Sequence, residues 1–350
     1  QFQRGMPLPE FFAGYGTEAQ CEATLARARW PHGFRCPACG HEDYTPVQGG
    51  KQRLYQCRAC RHQASLRAGT VFEASKLPLR IWFLAIYLMT QSKNNVAALE
   101  LKRTLGVAYS TAWLLKHKLM RVMTVREQDR VLSGRVEADD AYLGGAHAGK
   151  RGRGAEGKVP MVIGVQTPVA EKTGAICPDY VRLDPLPDFT NKTLATWAER
   201  RLAAETLFVS DGLAGFVAAG AQVSHHQQVV VGVRKSSDLD CFHWVNTLLG
   251  NLKSAIQGTY HGFGFSKYAH RYLGEVQYRF NRRFDMAAMI PRMITACVQA
   301  PPLTEKRMRW AEVSDYSLKT LTRRATAASA MSLLGRTLTL TPAPEQLQQS

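Results

Sequence analysis

The stretch Arg135–Leu143 reads RVEADDAYL and places three acidic residues inside a segment with the alternating pattern of a β-strand. Buried carboxylates destabilise a strand unless a metal ion or a basic partner compensates their charge. Because side chains alternate along a strand, Glu137 and Asp139 share one face while Asp140 lies on the other. The pattern therefore predicts a strand with a metal or cation site.

A second acidic position follows a strand further along the chain. The apolar run Leu207–Ser210 predicts a short strand that ends at Asp211, beside a glycine. An aspartate at a strand terminus is well placed to bind a metal ion. The alternative is an aspartate that only caps the following turn. The surrounding pattern predicts an α/β domain, with further strands at Met161–Thr167 and Tyr180–Leu183 and a helix at Leu194–Leu202.

The segment His243–Lys253 reads HWVNTLLGNLK and has the apolar periodicity of an amphipathic helix. Asn246 and Lys253 are seven residues apart, so they lie within about 20° of one another around the helix. The amide oxygen of Asn246, which could bind a metal ion, and the ammonium of Lys253 would thus lie on the same face of the helix. An Asn and a Lys on a helix usually face solvent, which is the alternative interpretation.

Four cysteines form two CxxC pairs that 17 residues separate: Cys36, Cys39, Cys57 and Cys60. This spacing is typical of a structural zinc site with four thiolates, and it predicts a zinc ribbon over residues 31–72. A thioredoxin-like redox role would require one pair beside a βαβ unit. His41 or His62 could replace a thiolate. We expect strands at Ala64–Leu66 and Thr70–Phe72.

Residues 73–130 predict three helices with the outline of a helix-turn-helix. The first runs over Leu79–Thr90, and the second runs from about Asn95 to Leu105 and stops at Gly106, a good residue for a helix C-terminus. The third begins behind Ser110, a candidate N-cap. It carries three basic residues that we expect to contact DNA: Lys116, Lys118 and Arg121.

The charge of the chain favours a polyanionic partner. It has 45 Lys and Arg against 28 Asp and Glu, a net charge of +17. Between Lys51 and Arg126 there are 14 basic residues and only two acids, Glu73 and Glu100. Such a field favours nucleic acid first and an anionic membrane surface second. A solvated basic surface is the alternative.

Taken together, the sequence resembles the zinc-ribbon, DDE-type transposases of bacterial insertion sequences, specifically the ISXO-like group. The resemblance covers residues from about 30 to 285. The stretches that carry it are CPACG…CRAC, TVFEASKLPLRIWFLAIYLM, STAWLLKHKLMRVM, VEADDAYLGG, FVSDG, HWVNTLLGNLKSAIQGTYHG and YLGEVQYRFNRR.

The resemblance implies an RNase-H-like catalytic fold in which a mixed five-stranded sheet brings two aspartates and a helix residue together. Its catalytic positions are Asp139, Asp211, Asn246 and Lys253, with Asn where most such enzymes carry Glu. The first three would hold two Mg²⁺ or Mn²⁺ ions for phosphoryl transfer. Asp140 is the alternative first ligand. Glu275, which has an i,i+4 spacing to an arginine, is the alternative third carboxylate.

These expectations define an α/β protein whose RNase-H-like domain follows a zinc ribbon and a helix-turn-helix-like domain. The expected segments are an N-terminal helical segment (1–30), the zinc ribbon (31–72), the DNA-binding helices (73–130), the catalytic domain (131–299) and a basic extension, partly disordered (300–350). A basic flap in residues 147–158 is expected to contact DNA through Lys150, Arg151, Arg153 and Lys158.

The expected function is a DNA transposase that binds the ends of an insertion sequence and cuts and joins strands. Its partners would be double-stranded DNA and further copies of the chain, as a homodimer or higher oligomer, in the bacterial cytoplasm at the nucleoid and without a membrane. The alternatives are a DNA-binding protein or regulator without catalysis, and a nuclease that cuts but cannot join.

Overall fold

The computed structural model describes residues 4–49, 52–144, 158–170, 173–230, 239–260 and 262–310. The chain up to Arg309 forms one unit. No helix in these ranges is long and apolar enough to cross a membrane. The expected flap, apart from Lys158, and most of the C-terminal extension lie outside the described residues.

The described residues form helices and two separate β-sheets, one of three strands and one of five. The helices are α1 (Leu8–Tyr15), α2 (Glu18–Arg29), α3 (Leu79–Gln91), α4 (Ala98–Leu105), α5 (Tyr109–Glu127), α6 (Asn191–Arg201), α7 (Ala214–Gly220), α8 (His243–Ala255), α9 (Phe265–Phe280), α10 (Met289–Gln299) and α11 (Glu305–Arg309). The strands are β1 (Tyr44–Gly49), β2 (Gln52–Cys57), β3 (Gln63–Ser65), β4 (Arg135–Leu143), β5 (Val159–Gln166), β6 (Val181–Pro185), β7 (Leu207–Ser210) and β8 (His225–Gln228).

The larger sheet has five strands in the order β6-β5-β4-β7-β8. β4 pairs antiparallel with β5, and β5 with β6, whereas β4–β7 and β7–β8 are parallel. The strand that carries the acidic cluster is therefore the central one. It is covered on both faces, so its acidic side chains lie inside the domain and not on an open face of the sheet.

Two layers of helices cover this sheet. On one face, α6 and α7 pack in a core with the even-numbered β4 residues Val136 and Ala138. On the other face, α8 and α9 pack in a core that includes Leu143, with Ala141 packed against it. The alternation expected from the sequence is confirmed, because odd and even positions of β4 enter different cores.

A third core joins the N-terminal helices and the smaller sheet to the C-terminal end of the described chain. It contains residues of α1, α2, α3 and α5, and also Ile290, Met293 and Cys297 of α10. Met308 of α11 is fully buried as well. The beginning of the C-terminal extension is thus part of the packed unit.

Three local predictions in the N-terminal half are wrong. Residues 70–72 form a turn rather than a strand, because the Thr70 hydroxyl donates to the carbonyl of Arg67 at 2.6 Å. α4 begins at Ala98, since Asn95 has a left-handed φ of 62° that a helix does not contain. α5 begins at Tyr109 behind Ala108, so Ser110 lies inside the helix.

Candidate active site and zinc-ribbon cysteines

The register of the central sheet places two acidic side chains beside one another. In the parallel pair of β4 and β7, Ala138 lies opposite Ser210. The residue after Ala138 is Asp139, and the residue after Ser210, directly behind β7, is Asp211. A Cα spacing of about 5 Å between neighbouring strands brings their carboxylates within reach of a common ion. Sequence alone could not supply this register.

Asp139 and Asp140 leave the strand toward different helix layers. Odd positions of β4 face α8 and α9, and even positions face α6 and α7. Asp139 is therefore at a β4 position on the α8 side and Asp140 at a position on the other side, although one carboxylate oxygen of each lies within 4.8 Å of the other. The backbone N–H of Asp140 donates to Asp139 Oδ1 at 2.8 Å, which orients the Asp139 carboxylate. This arrangement favours Asp139 over Asp140 as the residue that acts with α8.

Three carboxylates form one cluster where the end of β7 lies beside the middle of β4. One oxygen from each of Asp139, Asp140 and Asp211 lies within 4.8 Å of the others, and all three residues are half-buried. Burial, then the charges of Asp140 and Asp211, raise the pKa of Asp139 from 3.8 to about 7, partly opposed by Lys253. Oxygen donors that repel one another in this way fit a divalent cation such as Mg²⁺.

α8 carries the two remaining predicted residues, Asn246 and Lys253. Its first turn is tied to the central strand, since the Val245 N–H donates to Glu137 Oε2 at 3.4 Å. The other carboxylate oxygen of Glu137 lies 2.6 Å from Arg135 Nη1. Asn246 is half-buried next to this anchor, and Lys253 is exposed. The electrostatic effect of Lys253 on Asp139 shows that its charge reaches the cluster.

The sequence predicted on which face of β4 Glu137 lies, but it did not predict the role of this residue. The expectation was a shared face with Asp139, which is correct, yet Glu137 is fully buried and outside the carboxylate cluster. Its carboxylate is used to hold the first turn of α8 against β4. The available signal was the basic residue two positions earlier, Arg135, on the same strand face.

The four cysteines of the CxxC pairs come together as expected. Their sulfur atoms all lie within 4.8 Å, with 3.6 Å between Cys36 and Cys60 and between Cys39 and Cys57. A tetrahedral zinc site with Zn–S bonds of about 2.3 Å has sulfur–sulfur separations close to these values. The donor set fits a structural Zn²⁺, with neither His41 nor His62 in the cluster of described ligand groups.

The two cysteine pairs have the same local geometry. In the first, the Gly40 N–H donates to the Cys36 carbonyl at 2.9 Å, and in the second the Arg61 N–H donates to the Cys57 carbonyl at 3.1 Å. Gly40 and Arg61 both have left-handed φ angles, 76° and 60°. This repeated turn aims the thiols of both pairs at one point, as a single tetrahedral ion requires.

The structure contradicts the expected DNA contacts of two lysines on α5. Lys116 is fully buried, and its Nζ lies 2.8 Å from Glu275 Oε2. Lys118 is buried too, and its Nζ donates to the Val71 carbonyl at 3.3 Å. Both ammonium groups lie inside the packing between helices. Other parts of the chain cover the side of α5 that carries them, and the sequence pattern did not predict which side of α5 would be covered. The expected phosphate contacts of these two residues are therefore wrong.

The remaining predicted DNA contacts have different surroundings. Arg121 is half-buried, and its Nη1 donates to the Pro301 carbonyl at 3.2 Å. Lys158 is half-buried just before β5. Lys150, Arg151 and Arg153 lie outside the described residues.

Glu275 does not join the carboxylate cluster. It is fully buried on α9, where it pairs with Lys116 and accepts a hydrogen bond from the Tyr260 hydroxyl at 2.8 Å. Among the described residues, the acidic groups gathered around Asp139 are Asp140 and Asp211. The alternative that Glu275 is the third carboxylate is therefore wrong.

A polar network around Glu127 was not predicted. This buried carboxylate, in the last turn of α5, accepts hydrogen bonds from Asn281 at 2.8 Å and Arg130 at 2.9 Å, and also pairs with Arg282. Asn281 in turn exchanges hydrogen bonds with both backbone groups of Val181. The FNRR segment thus joins α5 to the edge of the five-stranded sheet. The sequence showed this segment as a motif, but it did not indicate which residues the segment contacts.

Comparisons with known proteins agree with this architecture. Residues 131–281 match the ISXO2-like transposase domain, and residues 16–63 match the transposase zinc-ribbon domain. A protein described as an uncharacterized protein in transposable element ISH50, from Halobacterium salinarum, is 30% identical over 176 residues. That match covers 45% of this chain and 56% of the relative, so the chain spans little more than half of the relative's length.

Proposed function

We propose that this chain, which belongs to the ISXO2-like transposases, binds the ends of an insertion sequence and catalyses metal-dependent DNA cleavage and strand transfer. The observation that carries this proposal is the cluster of Asp139, Asp140 and Asp211 within 4.8 Å, where the end of β7 lies beside the middle of β4. Enzymes of phosphoryl transfer use such carboxylate clusters to hold the metal ions that act on the scissile phosphate.

The proposed fold of the catalytic part is RNase-H-like. The order β6-β5-β4-β7-β8, with two antiparallel pairs on one side of β4 and two parallel pairs on the other, supports this assignment. α8 packs through Val245, Leu249 and Leu252 on the sheet face that Leu143 of β4 also enters, which supports a position of Asn246 near Asp139. We retain residues 131–299 as the catalytic domain, although α10 at its end packs in the N-terminal core.

Asp139, Asp211 and Asn246 would hold two Mg²⁺ or Mn²⁺ ions, which would activate the attacking oxygen and stabilise the leaving oxygen when bound. The chain's own contribution is positional. The Asp140 N–H orients the Asp139 carboxylate, and Glu137 fixes the first turn of α8, so that Asn246 presents a neutral oxygen at a set place. The exposed ammonium of Lys253 is placed to contact a phosphate near the scissile bond.

The remaining proposed segments are the N-terminal helices (1–30), the zinc ribbon (31–72), the helix-turn-helix-like region (73–130) and the basic extension (300–350). The pair α4 and α5, joined through Gly106 with a φ of 66°, supports the helix-turn-helix assignment. Since Lys116 and Lys118 are buried, we assign DNA contact to exposed cations of the ribbon: Arg35, Arg53, Arg58 and Arg61. The protein would act on double-stranded DNA as a homodimer or higher oligomer.

The test uses end-labelled duplexes taken from the DNA on each side of the coding sequence. With Mg²⁺, we expect strand cleavage at one site in each flank and joining of the freed 3′ end to a target plasmid. Asp139→Asn and Asp211→Asn should abolish both reactions. Glu199→Gln, at an exposed position on α6, is the matched control and should leave them unchanged. DNA binding without cleavage by the unaltered chain would replace this proposal with a non-catalytic DNA-binding protein.

A further inference from the structure

A cavity of about 450 Å³ lies between α4, α5 and the start of α9. Tyr260, at the end of the π-helical segment Ile256–Tyr260 that continues α8, closes one side. Its wall contains six aromatic rings, those of Tyr109, Trp113, Tyr260, Phe263, Tyr268 and Tyr272. The proposed catalytic cluster does not contribute to this wall.

Several of these rings already stack on one another, which keeps the wall rigid. The rings of Phe263 and Tyr272 are stacked nearly parallel, with centroids 3.8 Å apart and an interplanar angle of 11°. Trp113 stacks on His117 at 4.0 Å. Tyr109, by contrast, is 52% exposed and stands at the rim. The cavity thus offers a fixed aromatic floor and one accessible ring.

Positive charge lies directly against this wall. The guanidinium of Arg309 lies 4.5 Å from the Trp113 ring, and the ammonium of Lys267 lies 5.4 Å from the Tyr268 ring. Arg103, an exposed residue of α4, lines the cavity itself, together with one acid, Glu100. Aromatic rings interleaved with cations are the pattern by which proteins bind unpaired nucleotides.

A buried histidine, His117, supports the wall from behind the ring of Trp113. It is fully buried and lines the wall, and its Nδ1 lies 3.0 Å from Arg271 Nη1. Because a guanidinium can only donate, Nδ1 accepts and the proton of the neutral ring is on Nε2. Burial, followed by the charge of Arg271, lowers the pKa of His117 to about 2 and keeps it neutral. Nε2 has no hydrogen-bond partner among the described residues.

The cavity is close to the helix that carries the proposed catalytic residues. Lys253 and Tyr260 are seven residues apart on the continuous helical segment, a rise of about 10 Å. Neighbouring nucleotides of one duplex strand are about 3.4 Å apart along the helix axis. About three nucleotides therefore span the distance along the helix from a phosphate at Lys253 to the cavity wall at Tyr260.

We propose that this cavity receives an unstacked base of the DNA strand that α8 engages, with Tyr109 stacking on it and Glu100 available to its polar edge. The inference rests on the proposed function, because it takes DNA as the substrate. It adds a base-binding site outside the catalytic cluster. Taking a base out of the duplex would hold the strand in place next to the scissile phosphate.

The test compares two fluorescein-labelled single strands of about twelve units by fluorescence anisotropy. One has a mixed base sequence, and the other has the same backbone with abasic residues throughout. The full-length chain should bind the base-bearing strand about five- to a hundredfold more tightly, which is the range expected for base stacking on aromatic side chains. Tyr109→Ala should remove most of this preference, whereas Tyr109→Phe should retain it.

Phe284→Ala is the matched control, since Phe284 is 57% exposed and lies outside the cavity wall. It should leave the preference for bases unchanged. Tyr109 is at the rim, so its substitution leaves the packed interior intact. Equal binding of the two strands by the unaltered chain, no binding of either, or an equal loss for both strands in Tyr109→Ala would overturn the proposal. This assay needs no cleavage, so its result is separate from that of the cleavage test.

Discussion

Lys116 Nζ lies 2.8 Å from Glu275 Oε2, and both side chains are completely shielded from solvent. The pair joins α5, in the N-terminal helices, to α9, which packs on the five-stranded sheet. The Tyr260 hydroxyl also donates to Glu275, and the Lys116 ammonium lies 4.9 Å from the Tyr260 ring. Helix α5 therefore connects to the proposed catalytic part through buried charge, not only through apolar packing.

Lys116→Met should destabilise the chain by about 3 to 5 kcal/mol, because it leaves the Glu275 carboxylate buried without its counter-charge. The double variant Lys116→Met/Glu275→Gln should recover most of this loss, since neither buried charge remains. Urea unfolding followed by circular dichroism measures both. Lys102→Met, at an exposed position on α4, is the control and should change stability little. A Lys116→Met variant as stable as the unaltered chain would mean that the pair does not hold these helices.

Asp139→Asn should change how stability depends on pH in magnesium-free buffer. The pKa of Asp139 is raised from 3.8 to about 7 in the folded chain, so its ionisation disfavours folding. The contribution of Asp139 to stability should therefore fall as pH rises from about 4 to about 7, by up to a few kcal/mol, while His117, whose pKa is lowered, contributes in the opposite direction. Asp139→Asn cannot ionise, so relative to the unaltered chain it should become more stable as pH rises over this window. Thermal unfolding at several pH values measures the difference, and parallel curves for the two proteins would contradict it.

Asn246→Ala should strongly reduce cleavage, because it removes a proposed oxygen ligand from α8. Asn246→Asp should retain activity and require less Mg²⁺ for half of the maximal rate, since it restores the oxygen and adds a negative charge. A Mg²⁺ titration of the cleavage rate compares the variants. Asn251→Ala, at an exposed position on the same helix, is the control. Full activity of Asn246→Ala would show that Asn246 is not a ligand.

Cys36→Ser and Cys57→Ser should each release one equivalent of zinc and unfold the ribbon, because a structural site with three thiolates binds Zn²⁺ far more weakly. The five-stranded sheet should remain folded, as it has separate cores. Zinc content by atomic absorption and the circular dichroism spectrum report the two effects. Cys177→Ser, at an exposed cysteine outside the cluster, should retain the zinc. A purified chain without zinc would contradict the assignment.

Arg53→Ala, Arg58→Ala and Arg61→Ala together should weaken binding to duplex DNA and flatten its salt dependence. Three lost phosphate contacts change the slope of log K against log[salt] by up to about 2.7. Binding titrations at several salt concentrations give this slope. Lys192→Ala, at an exposed position on α6, should leave the slope unchanged. The same slope for the triple variant would assign the DNA contacts to other cations of the chain.

Local pattern predicted most elements of the fold. The strand Leu207–Ser210 has the predicted bounds, and the helix predicted over His243–Lys253 ends two residues later, at Ala255. Alternation also assigned Glu137 and Asp139 to one face of β4 correctly. These features depend on short-range periodicity and on the chemistry of neighbouring residues, which a sequence displays directly. The paired CxxC motifs likewise indicate their ligand set, because four cysteines at that spacing are typical of a structural zinc site.

The tertiary structure alone decided which side chains meet. The β4–β7 register brought Asp139 beside Asp211, and the packing of α9 on α5 buried Lys116 against Glu275. In the sequence, that lysine was indistinguishable from a DNA-binding residue on an exposed helix face. Its partner is 159 positions away, and whether a charge faces solvent or a buried counter-charge depends on which helix covers it. Periodicity indicates that a helix has a buried face, but only long-range packing determines which polar residues that face includes.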